Sequence, residues 1–174
     1  MTTIRKITIP KGVSVTYQRG TIKVTGPKGI LERTMHYPGI EIVCTKNDCT
    51  VTTDSQRKRL IAMCGTFAAH IKNMSKGVTD GYTYRMKVVY SHFPIQLKQV
   101  GPRLEINNFL GEKKSRYASI ESDVKVALGN DEVTITGMNK ETVGNTAANI
   151  EHATHIRNRD PRVFQDGIYL VDRA

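Results

Sequence analysis

The chain repeats itself. His70-Ile71-Lys72-Asn73 followed by Asp80-Gly81-Tyr82 returns as His155-Ile156-Arg157-Asn158 followed by Asp166-Gly167-Ile168, and the tetrads lie 85 positions apart against 86 for the Asp-Gly pairs. Gly29 to Val51 and Gly111 to Val133 are each 22 positions apart. Offsets held nearly constant over this distance point to a duplicated supersecondary unit. They restrict the fold to two similar small domains within 174 residues. With 39% hydrophobic residues, 6% aromatic and no tryptophan, two thin cores fit the composition better than one thick one.

Within the first copy, segments of strand character run from Ile4 to Ile9, Val13 to Tyr17, Thr21 to Thr25, Ile30 to Met35 and Ile40 to Cys44. Gln18-Arg19-Gly20 and Gly26-Pro27-Lys28-Gly29 punctuate them as turns. A hairpin through Thr45-Lys46-Asn47-Asp48 leads to Cys49 to Thr52. The period then changes. Leu60, Cys64, Phe67, Ile71 and Met74 recur at spacings of four and three, the stripe of an amphipathic helix capped near Asp54-Ser55. Tyr82, Tyr84, Met86 and Val88 alternate as a return strand. The second copy repeats the order, with a helix from Asn139 to about Asn158 whose buried face carries Val143, Ala147, Ile150 and Ala153. The expected fold is α+β, two tandem copies of a small antiparallel sheet covered on one face by a helix. The expected domains are residues 1–90 and 91–174, divided at Ser91-His92-Phe93-Pro94.

Chemistry-bearing motifs are few. Gly26-Pro27-Lys28-Gly29 lacks the spacing of a phosphate loop and precedes a strand, although Lys28 at its tip could meet an external phosphate. Ser91-His92 has no flanking nucleophile-elbow glycines, so no catalytic residue is assigned. Cys44 and Cys49 flank a four-residue turn and could face each other, leaving a metal or a disulfide open. No second Cys/His pair completes a four-ligand site. Cys64 falls in the helix stripe as a small core residue. His152 and His155 share a helix face, available to a partner. No metal and no cofactor are expected.

Charge carries more. Lys and Arg number 26 against 16 Asp and Glu, giving +10, as a phosphate-rich partner would select. Up to Met86 the balance is 14 basic to 5 acidic, and beyond it 12 to 11. Local clusters therefore matter more than the sum. Lys113-Lys114-Ser115-Arg116 and then Arg157, Arg159 and Arg162 fall at loops and element ends, where they can reach phosphates. Arg157 could also serve its own helix end. Phe164 and Tyr169 suit anchors better than stacking platforms. Three cysteines without a secretory framework, no signal-like N-terminus and no bilayer-length apolar run point to the cytosol and away from membranes.

The duplicated plan, Val24-Thr25-Gly26-Pro27-Lys28-Gly29, His92-Phe93-Pro94-Ile95, Asn108-Phe109-Leu110-Gly111-Glu112-Lys113 and the closing Arg162-x-Phe164-x-Asp166-Gly167-Ile168-Tyr169 closely resemble the large-subunit ribosomal protein family numbered six in bacteria and nine in eukaryotes. The closing motif is similar to that of the eukaryotic and archaeal branch. His152 and Pro161 depart from the family's usual Gln and aliphatic residue. The resemblance implies a cytoplasmic, non-enzymatic constituent of the large ribosomal subunit. It further implies contact with large-subunit rRNA near the sarcin-ricin loop, with neighbouring ribosomal proteins, and translational GTPases docking nearby. Small-molecule substrates are not implied. Carried onto matching positions, the expected RNA contacts are Arg157, Arg159, Arg162, Asp166, Gly167 and Tyr169, with Lys113 and Lys114 nearby. Arg116 and His155 complete the expected surface, and the second domain is its main carrier. Two rivals from other classes are an RNA-modifying or hydrolytic enzyme, which needs converging titratable groups, and a free-standing regulatory RNA binder.

Overall fold

The computed structural model of the chain describes every residue except Met1, Thr2, Lys46, His92 and Pro161. His92, weighed above as a catalytic group, and Pro161, placed in a turn, lie outside the described residues. The described chain forms two compact units, Met1–Gly81 and Tyr82–Ala174.

The first unit runs β1 (Thr3–Thr8), β2 (Ser14–Gln18), β3 (Thr21–Gly26), β4 (Gly29–Thr34), β5 (Glu41–Cys44), β6 (Asp48–Thr53) and α1 (Lys58–Thr79). Its strands make two antiparallel sheets, ordered β1-β6-β5 and β2-β3-β4. Alternation decides what faces inward: Ile22 and Val24 on β3 and Cys49 and Val51 on β6 are fully buried, while Lys23 between the first pair is exposed. Helix α1 packs on β1, β3 and β6 and closes the core with Cys64, Phe67, Ile71, Met74 and Val78. Leu60, expected in that stripe, is only half-buried.

Helix α1 starts later than expected. Its N-cap position is Arg57, without a side-chain cap. The Thr53 and Ser55 hydroxyls instead accept the backbone N–H groups of Ser55 and Arg57, holding 53–57 as a turn before the helix. At the other end, the Gly26-Pro27-Lys28-Gly29 turn serves the helix. The Lys28 N–H donates to the Val78 carbonyl at 3.0 Å, and its ammonium donates to the Asp80 carbonyl. A cation at the negative end of a helix dipole is favourable there. Lys28 therefore has an internal partner in place of the external phosphate considered above. A Cβ on Gly26 would lie 2.5 Å from the Val78 side chain, so only glycine permits this approach.

The second unit runs β7 (Tyr82–Val89), β8 (Gln96–Val100), β9 (Arg103–Asn107), a 3-10 turn at Phe109–Gly111, β10 (Arg116–Ser119), β11 (Val124–Leu128), β12 (Glu132–Gly137), α2 (Lys140–Ala153) and β13 (Gly167–Arg173). The same order of first strand, three-stranded meander, hairpin and helix recurs. Sheets β10-β9-β8 and β11-β12-β7-β13 form, and α2 covers them from β10, β12, β7 and β13. The fold is α+β, with each copy's strands divided between two small sheets rather than gathered in one.

The expected division at 90/91 needs correction. Strand β7 pairs antiparallel with β12, Tyr84 opposite Ile135, and with β13, Val88 opposite Ile168. It is an interior strand of the second unit and holds the place that β1 holds beside β6 in the first. Its alternation marks it as a strand, but partner choice is tertiary and places it after the boundary. Helix α2 is also shorter than expected. Asn139 caps its start, its side chain accepting the Glu141 N–H at 3.0 Å, yet it ends at Ala153 rather than near Asn158.

Candidate nucleic-acid interface

The segment between α2 and β13 carries the arginines, and its two ends are fixed from inside. Thr154, buried, turns its hydroxyl back onto the Glu151 carbonyl at 3.1 Å and accepts the Ile168 N–H at 3.2 Å. This ties the helix end to the start of β13. Asp166 is fully buried, and its Oδ1 accepts the Ser91 N–H at 3.1 Å, joining the end of β7 to the same place. Between these anchors Asn158 adopts a positive φ of 59°, which asparagine tolerates. Asp160 accepts the Arg162 N–H at 2.9 Å and closes a local turn.

On that frame Arg157, Arg159 and Arg162 are exposed. The Arg159 guanidinium lies over the Phe164 ring, 4.8 Å from its centroid, while Phe164 packs against the second core. The contact restricts the side chain without burying its charge.

Lys113 and Lys114 are exposed in the β9–β10 loop, whose root is pinned by buried Phe109 and Leu110. Arg116 joins this loop to the arginine segment. Its Nε and Nη2 donate to the two Glu112 carboxylate oxygens at 2.8 and 2.6 Å, and its Nη1 donates to the Ala153 and His155 carbonyls, both at 3.0 Å. The guanidinium also sits 4.3 Å from the Phe109 ring centroid. The basic stretches at 113–114 and 157–162 thereby share one region of the unit, with Glu112 in the electrostatic field of Arg159.

Several residues of the expected surface have partners within the unit. Arg116 is engaged by Glu112 and by the end of α2, and so fastens the loop to the helix end. Asp166 is a buried anchor, since a carboxylate at that depth supports the loop and does not meet solvent. Gly167 is buried and makes room for the Tyr169 ring, which a Cβ would approach to 3.0 Å. Tyr169 donates its hydroxyl to the Gln165 carbonyl at 3.1 Å and remains 40% exposed, so Phe164 is the deeper anchor of the two. His155 is exposed. With Glu151, His152, Phe164, Gln165 and Tyr169 it borders a cleft of about 490 Å³ between the end of α2 and β13. Sequence reasoning missed Glu151 and Gln165. The i, i+4 spacing of Glu151 and His155 was the available signal.

Hydrogen bonding by Arg116 holds the Glu112 carboxyl below its ordinary value of 4.5, opposed by partial burial and assisted by the charges of Arg116 and Arg159. A depressed carboxylate contributes stability above its unfolded value and loses it as pH falls through the folded one. Stability should therefore decline below about pH 4.5, and Glu112→Gln should remove part of that decline. The share is on the order of 1 kcal/mol or less, because the pair is partly exposed. Urea unfolding of both forms across acid pH measures it.

The chain matches the ribosomal protein L6 family twice, over residues 9–81 and 95–167. It is similar to proteins named large ribosomal subunit protein uL6 from three archaea. Identity is 60% to that of Methanospirillum hungatei over 174 residues, covering 100% of this chain and 99% of that protein. It is 52% to that of Methanothrix thermoacetophila, over 98% of this chain and 97% of the other. For Methanosarcina mazei it is 50%, again over 98% and 97%.

Proposed function

The chain belongs to the ribosomal protein L6 family, and from that premise we propose that it is a structural, non-enzymatic constituent of the large ribosomal subunit whose second unit binds large-subunit rRNA. The RNA lies near the sarcin-ricin loop, neighbouring ribosomal proteins complete the surroundings, and translational GTPases dock close by. The protein works in the cytoplasm, in translation. The observation that carries the rRNA reading is the exposed trio Arg157, Arg159 and Arg162, held between the Thr154 and Asp166 anchors beside Lys113 and Lys114. The Arg159 guanidinium, already restricted over Phe164, loses little further freedom on meeting a phosphate, and guanidinium groups can grip phosphates two-pronged.

The test is a salt titration of the full chain on a large-subunit rRNA fragment. Arg159→Ala combined with Arg162→Ala should weaken binding across sequences and reduce the log-log salt slope by about one unit per lost contact, without unfolding the protein. Lysine replacements should restore part of the affinity. An unchanged affinity and slope would move the RNA surface to Lys113 and Lys114 and leave the closing motif a packing device.

A further inference from the structure

We propose that Cys44 and Cys49, opposite each other across the β5–β6 hairpin, form a reversible dithiol–disulfide couple. Neither the fold nor the rRNA surface requires a thiol at either position, and all three cysteines are free. The two are register partners at the end of the hairpin. Just beyond them the Thr45 N–H donates to the Asp48 carbonyl at 2.8 Å, which makes the cysteines a non-hydrogen-bonded pair of the ladder. In such pairs the Cα atoms approach to about 4.5 Å, inside the range of about 4.4 to 6.8 Å that a disulfide spans. Their side chains share the inner face: Cys49 is fully buried, and Cys44 packs half-buried against the same core.

Three further contacts hold the register. The Thr45 hydroxyl donates to the Asp48 carbonyl at 2.8 Å, the Ile9 N–H donates to the Asn47 carbonyl at 2.9 Å, and Asp48 pairs with Lys6 at 3.0 Å. Among the described residues no group of three or more His, Cys, Asp or Glu gathers as for a metal ion, which favours the disulfide over metal binding.

The two cysteines divide the chemistry. The hydrogen bond from Cys49 keeps the Cys44 thiol below its ordinary value, against partial burial, while Cys49 is raised by that bond and by its own burial. Cys44, the more accessible, is the attacking sulfur. With a hydroperoxide as oxidant, the Cys44 thiolate attacks the peroxide oxygen, breaking the O–O bond and giving a sulfenic acid and, from hydrogen peroxide, water. The Cys49 sulfur then attacks the Cys44 sulfur, losing its proton as the sulfenic oxygen leaves as a second water. Two thiols are oxidised by two electrons, and one peroxide is reduced. A small-molecule dithiol reverses the step by exchange.

Treating the folded full chain with equimolar hydrogen peroxide, followed by thiol counting and non-reducing peptide mapping, tests this. The expected result is a monomer two hydrogens lighter, with one remaining thiol at Cys64, a peptide link between Cys44 and Cys49, and full recovery with dithiothreitol. Cys64→Ala should form the same link, and Cys44→Ser should leave Cys49 reduced. Retention of all three thiols while free glutathione in the same tube is oxidised would overturn the proposal. So would a link through Cys64 or between chains, or accumulation of sulfinic or sulfonic acid at Cys44.

Discussion

A fragment of residues 91–174 should fail to fold, whereas residues 82–174 should give a cooperative unfolding transition. The two differ by β7, whose Tyr82, Tyr84, Met86 and Val88 are all buried in the second core. Burial of a large apolar side chain contributes roughly 1.5 to 3 kcal/mol, so removing four forfeits about 6 to 12 kcal/mol. That matches the roughly 5 to 15 kcal/mol by which whole domains are stable. Hydrogen bonding adds to the loss, because β7 lies between β12 and β13, so that β12 would keep only its β11 partner and β13 would have none. Far-UV circular dichroism and urea titration of the two fragments measure the difference. Cooperative unfolding of 91–174 with native-like strand signal would show that the remaining sheet is self-sufficient and that β7 is an accessory.

Phe67→Ala should destabilise the first unit by about 3 to 5 kcal/mol, the range for emptying a buried aromatic site. The ring is 7% exposed in a core whose other large members include Ile22, Met35, Ile71 and Met74, and it is the one phenylalanine there. Phe67→Leu should cost less, since most of the volume is kept. Equilibrium unfolding of the full chain, followed by a probe confined to the first unit, separates this loss from the second unit's transition. A shift below about 0.5 kcal/mol would be that of a surface substitution and would place the ring outside the core.

How much of this was legible in the sequence varies with the range of the interaction. The helix stripe through Cys64, Phe67, Ile71 and Met74 is a local period, and it reappears as the buried face of α1. The alternation of Tyr82 to Val88 is local too. Its partners are not, and only they place β7 in the second unit. Cations behave similarly: Lys28 stands in a turn and Arg116 where a basic loop enters β10, as a phosphate ligand would, yet each turns onto the carbonyls at the end of its own copy's helix. Nothing in residue type separates a loop cation that caps from one that faces solvent. Asp166 shows the reverse: the resemblance implies a residue of the RNA surface, and the carboxylate is buried. Arg157, Arg159 and Arg162 were legible as exposed because three charges around a helix terminus exceed what that terminus can use.

The pairing of β7 also sets an order of events during synthesis. Chains fold from the N-terminus as they emerge, and every strand partner of the first unit has been made by Thr53 and its helix by Thr79. Strand β7 comes next, but β12 begins only at Glu132 and β13 at Gly167. Until β12 is made β7 therefore waits with both edges open, and until β13 is made with one, rich in Tyr, Met and Val, the condition under which strands find partners on other chains. Arg85 and Lys87, the two exposed residues of that strand, place positive charge in the middle of this segment. Like charge of that kind in the middle of an open strand disfavours its pairing with the same strand of another copy.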